Sequence, residues 1–438
     1  MRRVLALVIA LLAVPAAARA GNDDGVLLGN QAAMTGGAVA ATITDGTAIW
    51  YNPAGLAGMR RDAVDVGGNA FQVRAAEEGG LISSTTGESN DGGYLELLSI
   101  PTASTIARRL EPGLVLAFGV FASRFSQHTT RTGLDAGDDP HTARWSLSAT
   151  EFSATYHAGG GLGIRLDDHV RIGVSLFGVY RERSDTFQSA GAFSLADRTR
   201  LQARGGIFQL RSLGTELGVG VQWQPHDDFV LGLTFRSPSF EIFTQVRSTT
   251  TAIDVTVEGT DPGTFTFVPE DTESLAPGFA VLTGGRFNIA LAHRFERGWI
   301  ALEVDLQPAL QLDGVLSRRF VWNVRAGGRF EVDDNLGIGF GAFTDHSELH
   351  PIDELGQTRV DFYGLSAGLE YRSGHRLADN ERSSNLVFST TVGLRYAVGF
   401  GEVGGLLFDP RGGVTRDTVA VDTTIHELGL HIGSGLYF

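Results

Sequence analysis

Three residues near the end of the chain, His426, Glu427 and His431, have side chains that suit metal chemistry. Zinc proteases hold their metal with the two histidines of an HExxH helix and use the glutamate as general base. Here the spacing is HExxxH, which is one residue longer. In a β-strand, moreover, residues 426 and 431 point to opposite faces, because successive side chains alternate. The pattern therefore predicts that no metal is bound here.

Two further constellations resemble catalytic motifs but lack their geometry. Asp345, His346 and Ser347 are consecutive, whereas a catalytic triad is assembled in space from separate parts of the chain. The glycine-rich segment 159–163 precedes no predicted helix, so we expect it to leave room for a packed segment and not to bind phosphate. All 35 basic residues are arginine, which excludes a catalytic or cofactor-binding lysine. We expect neither an enzyme nor a cofactor.

The arginines themselves are candidates for ligand binding. A guanidinium is permanently charged and can hold a carboxylate through two parallel hydrogen bonds. Arg325 and Arg329 alternate with apolar residues in one predicted strand, so both are expected to face the same interior space and are candidate ligand contacts. The alternative is that they pair with acidic side chains that face the same way, which include Glu303, Asp305, Glu331 and Glu370.

A second candidate contact surface is aromatic. Segment 239–283 is predicted to be a long loop, and it carries Phe240, Phe243, Phe265 and Phe267. An apolar patch on such a loop suits the landing of a hydrophobic ligand. The alternative is that these side chains only pack the loop onto the body of the protein.

The start of the chain predicts export. Arg2 and Arg3 precede an apolar run, and Ala18-Arg19-Ala20 matches a secretory cleavage site, which predicts a signal peptide over residues 1–20. No later apolar run is long enough for a membrane-spanning helix. The exported chain has no cysteine, so disulfides do not stabilise it. The net charge of −15 argues against nucleic acid as a partner.

Residues 61–438 are predicted to be β-strands almost throughout, because apolar and polar side chains alternate with a period of two. Residues 300, 302, 304 and 306 are apolar, for example, whereas 303, 305 and 307 are acidic or amide side chains. In an exported chain, apolar side chains that face outward and polar ones that face inward are typical of an outer-membrane barrel. The predicted fold is an all-β, antiparallel transmembrane β-barrel.

Connection lengths support this fold independently. We count fourteen strands, and the connections after even-numbered strands are mostly tight, as at Asp167-Asp168. Bacterial barrels have an even number of strands, short periplasmic turns and longer extracellular loops. The connections after odd-numbered strands are mostly long, and the predicted loops are 74–92, 126–142, 184–204, 239–283, 346–358 and 403–419.

The last predicted strand ends at Phe438, and residues 428, 430, 432, 436 and 438 are apolar and share a face. A terminal aromatic on such a strand resembles the signal that outer-membrane assembly machinery recognises. We therefore expect Phe438 to be an assembly signal.

The segment Asp45 to Met59, with its core Trp-Tyr-Asn-Pro-Ala-Gly-Leu, resembles the N-terminal segment of the FadL-type family of outer-membrane transporters. Weaker pieces lie at Ser99-Ile-Pro-Thr-Ala-Ser104, Leu233-Thr-Phe-Arg-Ser-Pro238 and Val324-Arg-Ala-Gly-Gly-Arg-Phe330. The resemblance implies a fourteen-stranded barrel whose N-terminal hatch, residues 21–60, plugs the lumen. Asn52, Pro53 and Ala54, followed by Gly55, match the family's hatch motif. Trp50 and Tyr51 are expected to anchor the hatch to the wall, and contact with ligand is the alternative.

In this family a hydrophobic ligand is captured at the extracellular side, and hatch movement and a kinked strand let it leave sideways into the membrane. The resemblance therefore implies passive, hatch-gated uptake of hydrophobic small molecules, above all long-chain fatty acids. The alternatives are a general porin and a barrel that serves protein secretion. Expected partners are the ligand, outer-membrane lipid and lipopolysaccharide, and the assembly machinery. The barrel is expected to be a monomer in the outer membrane.

Overall fold

A computed structural model describes residues 26–258, 261–276, 280–281, 283–312, 316–350, 352, 355–376, 385–411 and 414–438. The predicted signal peptide lies outside the described residues and stays a prediction. Within the described residues, three short helical segments are followed by nineteen strands. The strands are β1 (Ala63–Ser84), β2 (Ser89–Glu111), β3 (Leu114–Ala136), β4 (Thr142–Arg165), β5 (Val170–Ser194), β6 (Arg198–His226), β7 (Phe229–Arg236), β8 (Phe240–Glu258), β9 (Asp261–Ala276), β10 (Ala280–Val281), β11 (Arg286–Phe295), β12 (Gly298–Gln307), β13 (Leu310–Leu312), β14 (Leu316–Arg318), β15 (Val321–Glu331), β16 (Leu336–Asp345), β17 (Thr358–Arg376), β18 (Asn385–Asp409) and β19 (Val414–Tyr437).

Fourteen of these strands form one closed antiparallel barrel, which confirms the predicted fold and strand count. They are β1 to β7, β11, β12 and β15 to β19, and each pairs with the next in this order. The last strand returns to the first, in a register that begins at Ala63↔Tyr437. Closure leaves no free sheet edge around the ring, which is what a membrane-spanning sheet requires. Both ends of the barrel chain lie at the end with the short turns, which we call the turn end; the other is the hairpin end.

The outward face of the barrel is apolar and the inward face is polar, as the alternation predicted. Leu302, Phe340 and Leu365 point outward and are more than half exposed. Glu303 and Arg325 point inward and are buried. An apolar belt on the outside of a closed barrel makes this a transmembrane barrel of the outer-membrane type. Among the described residues, no helix has the length and apolar character needed to cross a membrane.

The strands at the hairpin end are longer than predicted, and this corrects the predicted loops. Segments 74–92, 126–142 and 184–204 are mostly strand, and most of 239–283 forms β8, β9 and β10. The prediction failed because these segments have no apolar stripe to mark them. They are instead rich in β-branched side chains, as at 249–251, which favour a strand on either face.

The extended hairpins have a small core of their own above the lumen. Trp145 of β4 lies 5.6 Å from Phe193 of β5 and 6.0 Å from Phe408 of β18, measured between ring centroids. The tip of β18 also pairs with β1, with Ile82 opposite Leu406. The hairpins therefore lean together and cover the hairpin end of the barrel.

Glu88, at the tip of the β1–β2 hairpin, ties this cover to a neighbouring hairpin. Its carboxylate accepts hydrogen bonds from the Ser84 and Thr86 hydroxyls and, at 2.9 Å, from the Gly137 amide. These bonds lower the pKa of Glu88 from the ordinary 4.5 to about 2. A carboxylate with a lowered pKa stabilises the fold above its ordinary pKa, and this contribution is lost as the pH falls towards the lowered value.

The Gly137 amide is therefore expected to shift in an NMR pH titration with a midpoint near pH 2, where Glu88 protonates. The Glu88→Gln variant should show no such transition. A midpoint near the ordinary glutamate pKa, or an unchanged titration in the variant, would show that Glu88 does not hold the two hairpins together.

Residues 26–60 occupy the lumen and are buried almost throughout. They form helix α1 (Asn30–Met34), helix α2 (Ala48–Tyr51) and a 3₁₀ helix (Pro53–Gly58) joined by turns. Their contacts are spread around the wall: α1 touches β16 to β19, and the 3₁₀ helix touches β3 to β6. We call this segment the hatch.

Candidate functional site

The turn at Asn52 fixes the hatch to the wall. The Asn52 side chain is fully buried, and its Oδ1 accepts from the Ala54 amide at 3.1 Å, which caps the 3₁₀ helix. Its Nδ2 donates to the carbonyl of Ala40 in the hatch at 2.9 Å and to that of Val221 in β6 at 3.1 Å. Pro53 follows at the first helical position, where its missing N–H costs nothing. One amide side chain thus caps a helix, closes the hatch on itself and bonds the barrel.

The wall carries glycines where this turn touches it. A Cβ at Gly173 would overlap the Pro53 backbone, and one at Gly220 would overlap the Asn52 side chain. A Cβ at Gly163 would lie 2.7 Å from the Ala57 nitrogen. Gly161 and Gly163 belong to the glycine-rich segment 159–163, so the prediction that it leaves room for a packed segment is confirmed. No pattern in the sequence predicted that Gly173 and Gly220 would contact the hatch.

Trp50 and Tyr51 lie between hatch and wall. The Trp50 ring packs against Phe121 and Phe177, with centroids 5.3 and 5.8 Å away. The Arg236 guanidinium stacks 3.8 Å above the same ring and donates to the Trp50 carbonyl at 2.5 Å. The Tyr51 hydroxyl accepts from the Leu28 amide at 3.0 Å within the hatch. The contacts of Trp50 favour its anchoring to the wall, whereas the same role for Tyr51 stays a prediction.

A second anchor is ionic and centres on Glu303 of β12. Its Oε2 accepts from the Val39 and Ala40 amides of the hatch, each at 3.1 Å. Its Oε1 accepts from Arg325 at 2.8 Å and from Asn288 at 2.5 Å. Glu303 and Arg325 are buried in the lumen, so a charge left unpaired there would be costly.

Arg325 and Arg329 are therefore both held by acidic side chains of the wall. Arg325 is buried, bonds Glu303 and lies 3.4 Å from Asp305. Arg329 bonds Glu370 and lies 3.0 Å from Glu331. This is the pairing that the sequence offered as the alternative to ligand binding. A direct ligand contact by either arginine stays a prediction.

The Glu303→Ala variant is expected to lose about 3 kcal/mol of unfolding free energy, because Arg325 loses its closest counter-charge and two hatch amides lose their acceptor. Urea unfolding in lipid vesicles, followed by tryptophan fluorescence, measures this. The matched control is Glu182→Ala, which breaks a more exposed pair with Arg211 at 2.9 Å and should cost less than about 1 kcal/mol. Equal losses in the two variants would contradict an anchoring role for Glu303.

Two cavities follow one another from the hairpin end towards the hatch. The outer cavity has a volume of about 320 Å³ and lies among the hairpins, with Leu147, Phe187 and Phe208 in its lining. The inner cavity has a volume of about 130 Å³ and reaches Val26 of the hatch. Both cavities include His128, Glu151 and Thr358 in their linings, so they adjoin.

The inner cavity combines an apolar surface with balanced charge. Its apolar lining is formed by Val26, Tyr94, Phe125, Val360, Phe362 and Ile425. Three arginines also line it, Arg74, Arg124 and Arg395, together with the acidic Glu151, Asp345 and Glu427. Glu427 lies 2.6 Å from Arg74 and 2.7 Å from Arg395, and Arg74 also lies 3.4 Å from Glu96. Three acidic side chains thus match the three arginines of the lining.

The barrel wall is open beside this cavity. Strands β2 and β3 are hydrogen-bonded only from Glu111↔Leu114 to Ala103↔Phe121. Beyond that point β2 pairs only with β1, and β3 only with β4. We call residues 97–102 of β2 and 122–126 of β3 the wall gap. Ser123 to Ser126 line both the gap and the inner cavity.

Side chains alone close the wall gap. Leu98, Ile100 and Ala122 form a buried cluster with Phe125. On the hairpin side, Arg74 reaches across from β1 to Ser126 at 3.2 Å, and Asn90 donates to the Gly133 carbonyl at 2.6 Å. A gap filled by apolar side chains opens by rotamer changes, without breaking a backbone ladder.

The sequence did not reveal the wall gap, although two signals were present. Pro101 lies inside β2 and has no N–H for a ladder, which confines proline to free strand edges. Ser123 is the extra residue of a bulge in β3 against β4. Pro101 lies in the segment 99–104, which resembles the FadL-type family, but the resemblance did not predict a gap in the wall at this position. Gly119 of β3 is paired on both sides, with Thr105 and Gly159, so it lies outside the gap.

The predicted aromatic surface lies away from both cavities. Phe240 and Phe243 are each 42% exposed, and Phe267 is 50% exposed. Their neighbour Glu241 points inward and pairs with Arg181, so Phe240 points outward. The side chain of Phe265 lies outside the described residues. A landing-site role for these phenylalanines stays a prediction.

The other sequence candidates are placed as their spacing predicted. His426 is on the outer face beside the Tyr396 hydroxyl, whereas His431 is buried in the lumen beside Asn30, so the two point to opposite faces. His346 lies beside the Trp322 carbonyl at 2.8 Å. Phe438 faces outward and bonds Asp62 through its backbone. Its recognition by assembly machinery stays a prediction.

No protein-family model matches this sequence, and no curated protein matches it significantly. Solved structures do match its fold. A FadL homologue from Pseudomonas aeruginosa shares 10% identity and a TM-score of 0.57, covering 95% of this chain and 99% of that one. The toluene transporter TodX from P. putida shares 13% identity, with a TM-score of 0.56 and the same coverage. The toluene transporter TbuX from Ralstonia pickettii shares 11%, with a TM-score of 0.54 and the same coverage. The chain thus has the fold of these barrels over nearly its whole length.

Proposed function

We propose that this chain is a FadL-type outer-membrane transporter, which lets hydrophobic small molecules diffuse passively across the outer membrane. The observation that carries the proposal is the wall gap, which lies beside an apolar cavity in a barrel whose lumen is plugged. A ligand in that cavity would lie between the hatch and the wall gap. The wall gap opens directly towards the hydrocarbon of the bilayer.

The proposed route has three stages. The ligand enters the outer cavity among the hairpins, passes His128 and Glu151 into the inner cavity, and leaves between Leu98, Ile100 and Ala122 into the membrane. Each stage offers apolar contact, so the ligand does not return to water. Residues 21–60 act as the hatch that blocks the straight path to the periplasm.

The ligand class follows from the size and charge of the inner cavity. A dry apolar cavity of about 150 Å³ holds benzene, so a cavity of about 130 Å³ suits a single ring or a short part of a chain. The three arginines of the lining are matched by Glu151, Asp345 and Glu427, and Arg74 and Arg395 are both paired with Glu427, so the lining has no excess positive charge to attract a carboxylate. These features favour a neutral, ring-sized compound. A long-chain fatty acid, which the sequence resemblance suggested, is the second candidate. TodX and TbuX, which share the fold, are toluene transporters.

The plugged lumen and the apolar cavity beside the wall gap fit neither a general porin nor a secretion barrel. A general porin needs an open polar lumen, whereas this lumen is filled by the hatch and bonded to it at Asn52 and Glu303. A barrel that serves secretion would act through a partner protein and would need no apolar cavity beside a gap in its own wall.

Host cells that express the chain are expected to take up labelled toluene faster than cells with an empty vector, and faster than they take up labelled oleate. The control is a variant lacking residues 21–42, which should admit both labels and also polar dyes. Faster uptake of oleate alone would assign the barrel to fatty acids. Uptake of neither, together with open conductance by the intact protein in planar bilayers, would contradict the proposal and favour a porin.

A further inference from the structure

A third cavity lies at the turn end, beneath the hatch, and its lining is dominated by arginine. Its volume is about 790 Å³, and the hatch contributes Gly58 and Arg60. Strand ends from around the wall contribute Arg109, Arg165, Arg171 and Arg294. We call this cavity the arginine vestibule. It is separate from the two cavities of the proposed route.

Several arginines elsewhere in the lumen pair with carboxylates, as Arg325 does with Glu303 and Arg395 with Glu427. The arginines of the vestibule that come from β15 and β17, Arg329 and Arg372, likewise bond Glu370. Arg236, which bonds the Trp50 carbonyl and stacks on its ring, is different, but it stands alone, whereas the vestibule gathers several such arginines.

Four vestibule arginines have no acidic partner in the described part of the chain. Arg109 donates to the Arg60 carbonyl at 2.5 Å, and Arg165 donates to the Ala57 carbonyl at 3.3 Å. Arg171 donates to the Gln222 side-chain oxygen at 3.3 Å. Arg294 makes no side-chain hydrogen bond or ion pair with any described residue. These partners are neutral, so several positive charges remain in one confined space.

Such a cluster is unfavourable unless an anion shares it, because like charges repel and the surrounding wall is a poor dielectric. The imbalance is notable in a chain whose net charge is −15. Guanidinium groups that converge on a cavity are the usual means of binding phosphate or carboxylate oxygens, since each offers several N–H donors in a fixed plane.

We propose that the arginine vestibule is a binding site for a soluble oxyanion with two or more negative charges, of the phosphate or polycarboxylate class, which enters from the periplasm. The lining favours this over an amphiphile, because arginine, glutamine and threonine form most of it, and the polar part of its surface is larger than the apolar part that Met59, Pro112, Trp299 and Tyr437 supply. The inference depends on the barrel's orientation but not on the identity of the transported compound.

The position of the vestibule gives the anion a structural role. Arg165 holds the Ala57 carbonyl at the end of the 3₁₀ helix, and Arg171 lies against Gly58. An anion between these arginines would neutralise the groups that carry the hatch on its periplasmic side. Binding is therefore expected to stabilise the closed hatch.

The test is calorimetric titration of the purified barrel with pyrophosphate in a zwitterionic detergent, with ionic strength held constant by sodium chloride. Saturable binding is expected, and Arg294→Gln should weaken it by about tenfold, since each charged hydrogen bond contributes about 1.4 kcal/mol or more. Arg294 bonds no described residue, so its replacement should leave the fold intact; Arg294→Lys should restore part of the affinity. The control Arg144→Gln alters only an exposed pair with Asp135 at the hairpin end.

Two arms distinguish the source of the anion. Dodecanoate and dodecanol are titrated below their micellar concentrations, with and without pyrophosphate. Saturable binding of dodecanoate that Arg294→Gln abolishes, with no binding of pyrophosphate, would assign the vestibule to an amphiphile and overturn the proposal. Heat from pyrophosphate that does not saturate, or pyrophosphate binding that Arg294→Gln leaves unchanged, would overturn it as well.

Discussion

Cross-linking the Ile100→Cys/Ala122→Cys double variant is expected to reduce toluene uptake to the level of cells without the protein. The two side chains meet in the cluster that fills the wall gap, one from each of the unpaired strands. A covalent bridge there would prevent β2 and β3 from parting, and the ligand would stay in the inner cavity. The chain has no cysteine, so the introduced pair is the only site at which a bridge can form.

The matched control is Ile106→Cys/Phe118→Cys. These residues face each other in the hydrogen-bonded part of the same two strands, so a bridge between them adds nothing to a ladder that is already closed. Uptake should be normal in the control under oxidising conditions, and a reducing agent should restore it in the gap variant. Normal uptake through an oxidised, fully cross-linked gap would show that the ligand leaves by another path.

Replacing Asn52 is expected to weaken the attachment of the hatch to the barrel wall. Asn52→Ala removes the donors that reach Ala40 and Val221 and the acceptor that caps Ala54. The Ala54 amide would lose its acceptor, at a cost of about 1–3 kcal/mol, and the Ala40 carbonyl would keep only its bond from Gln222. Planar-bilayer recordings should show frequent openings in this variant, whereas the unaltered barrel stays closed to small ions.

A second substitution separates the two roles of Asn52. Serine keeps the acceptor of a helix cap but is too short to reach Val221 in the wall. If Asn52→Ser opens as often as Asn52→Ala, then the hatch is held by the hydrogen bonds that Asn52 donates to Ala40 and Val221, and not by the helix cap. The control is Asn335→Ala in an exposed turn. Silent recordings from all three variants would mean that Glu303 and Trp50 hold the hatch without the turn.

Much of this fold follows from short-range patterns. The alternation of residues such as Leu302 and Glu303 determines which face meets lipid, and it repeats in every spanning strand, so the strand count and the closed barrel could be inferred. The Asn52-Pro53 pair could be interpreted for a similar reason, because a cap and a proline at the first helical position act within a few residues.

The unpredicted features depend on partners far away in the sequence. Alternation says which side a residue faces but not whether its strand is bonded to the next, so the gap beside Ile100 was invisible. Likewise, the same pattern that put Arg325 in the lumen could not say that Glu303 would hold it. Arg294 and Arg325 both stand at inward-facing positions of predicted strands. Arg325 is paired with a carboxylate, whereas Arg294 has no acidic partner among the described residues.

The hydrogen bond from His431 to Asn30, at 3.1 Å, joins residues that are 401 positions apart. The hatch is therefore held by the last strand as well, and Met34 accepts a further bond from Ser366 of β17. Contacts of such separation form slowly, because the intervening chain must be ordered first. The hatch can therefore complete its contacts only after the last strands have joined the barrel, so the lumen becomes fully blocked at the same stage at which the wall closes.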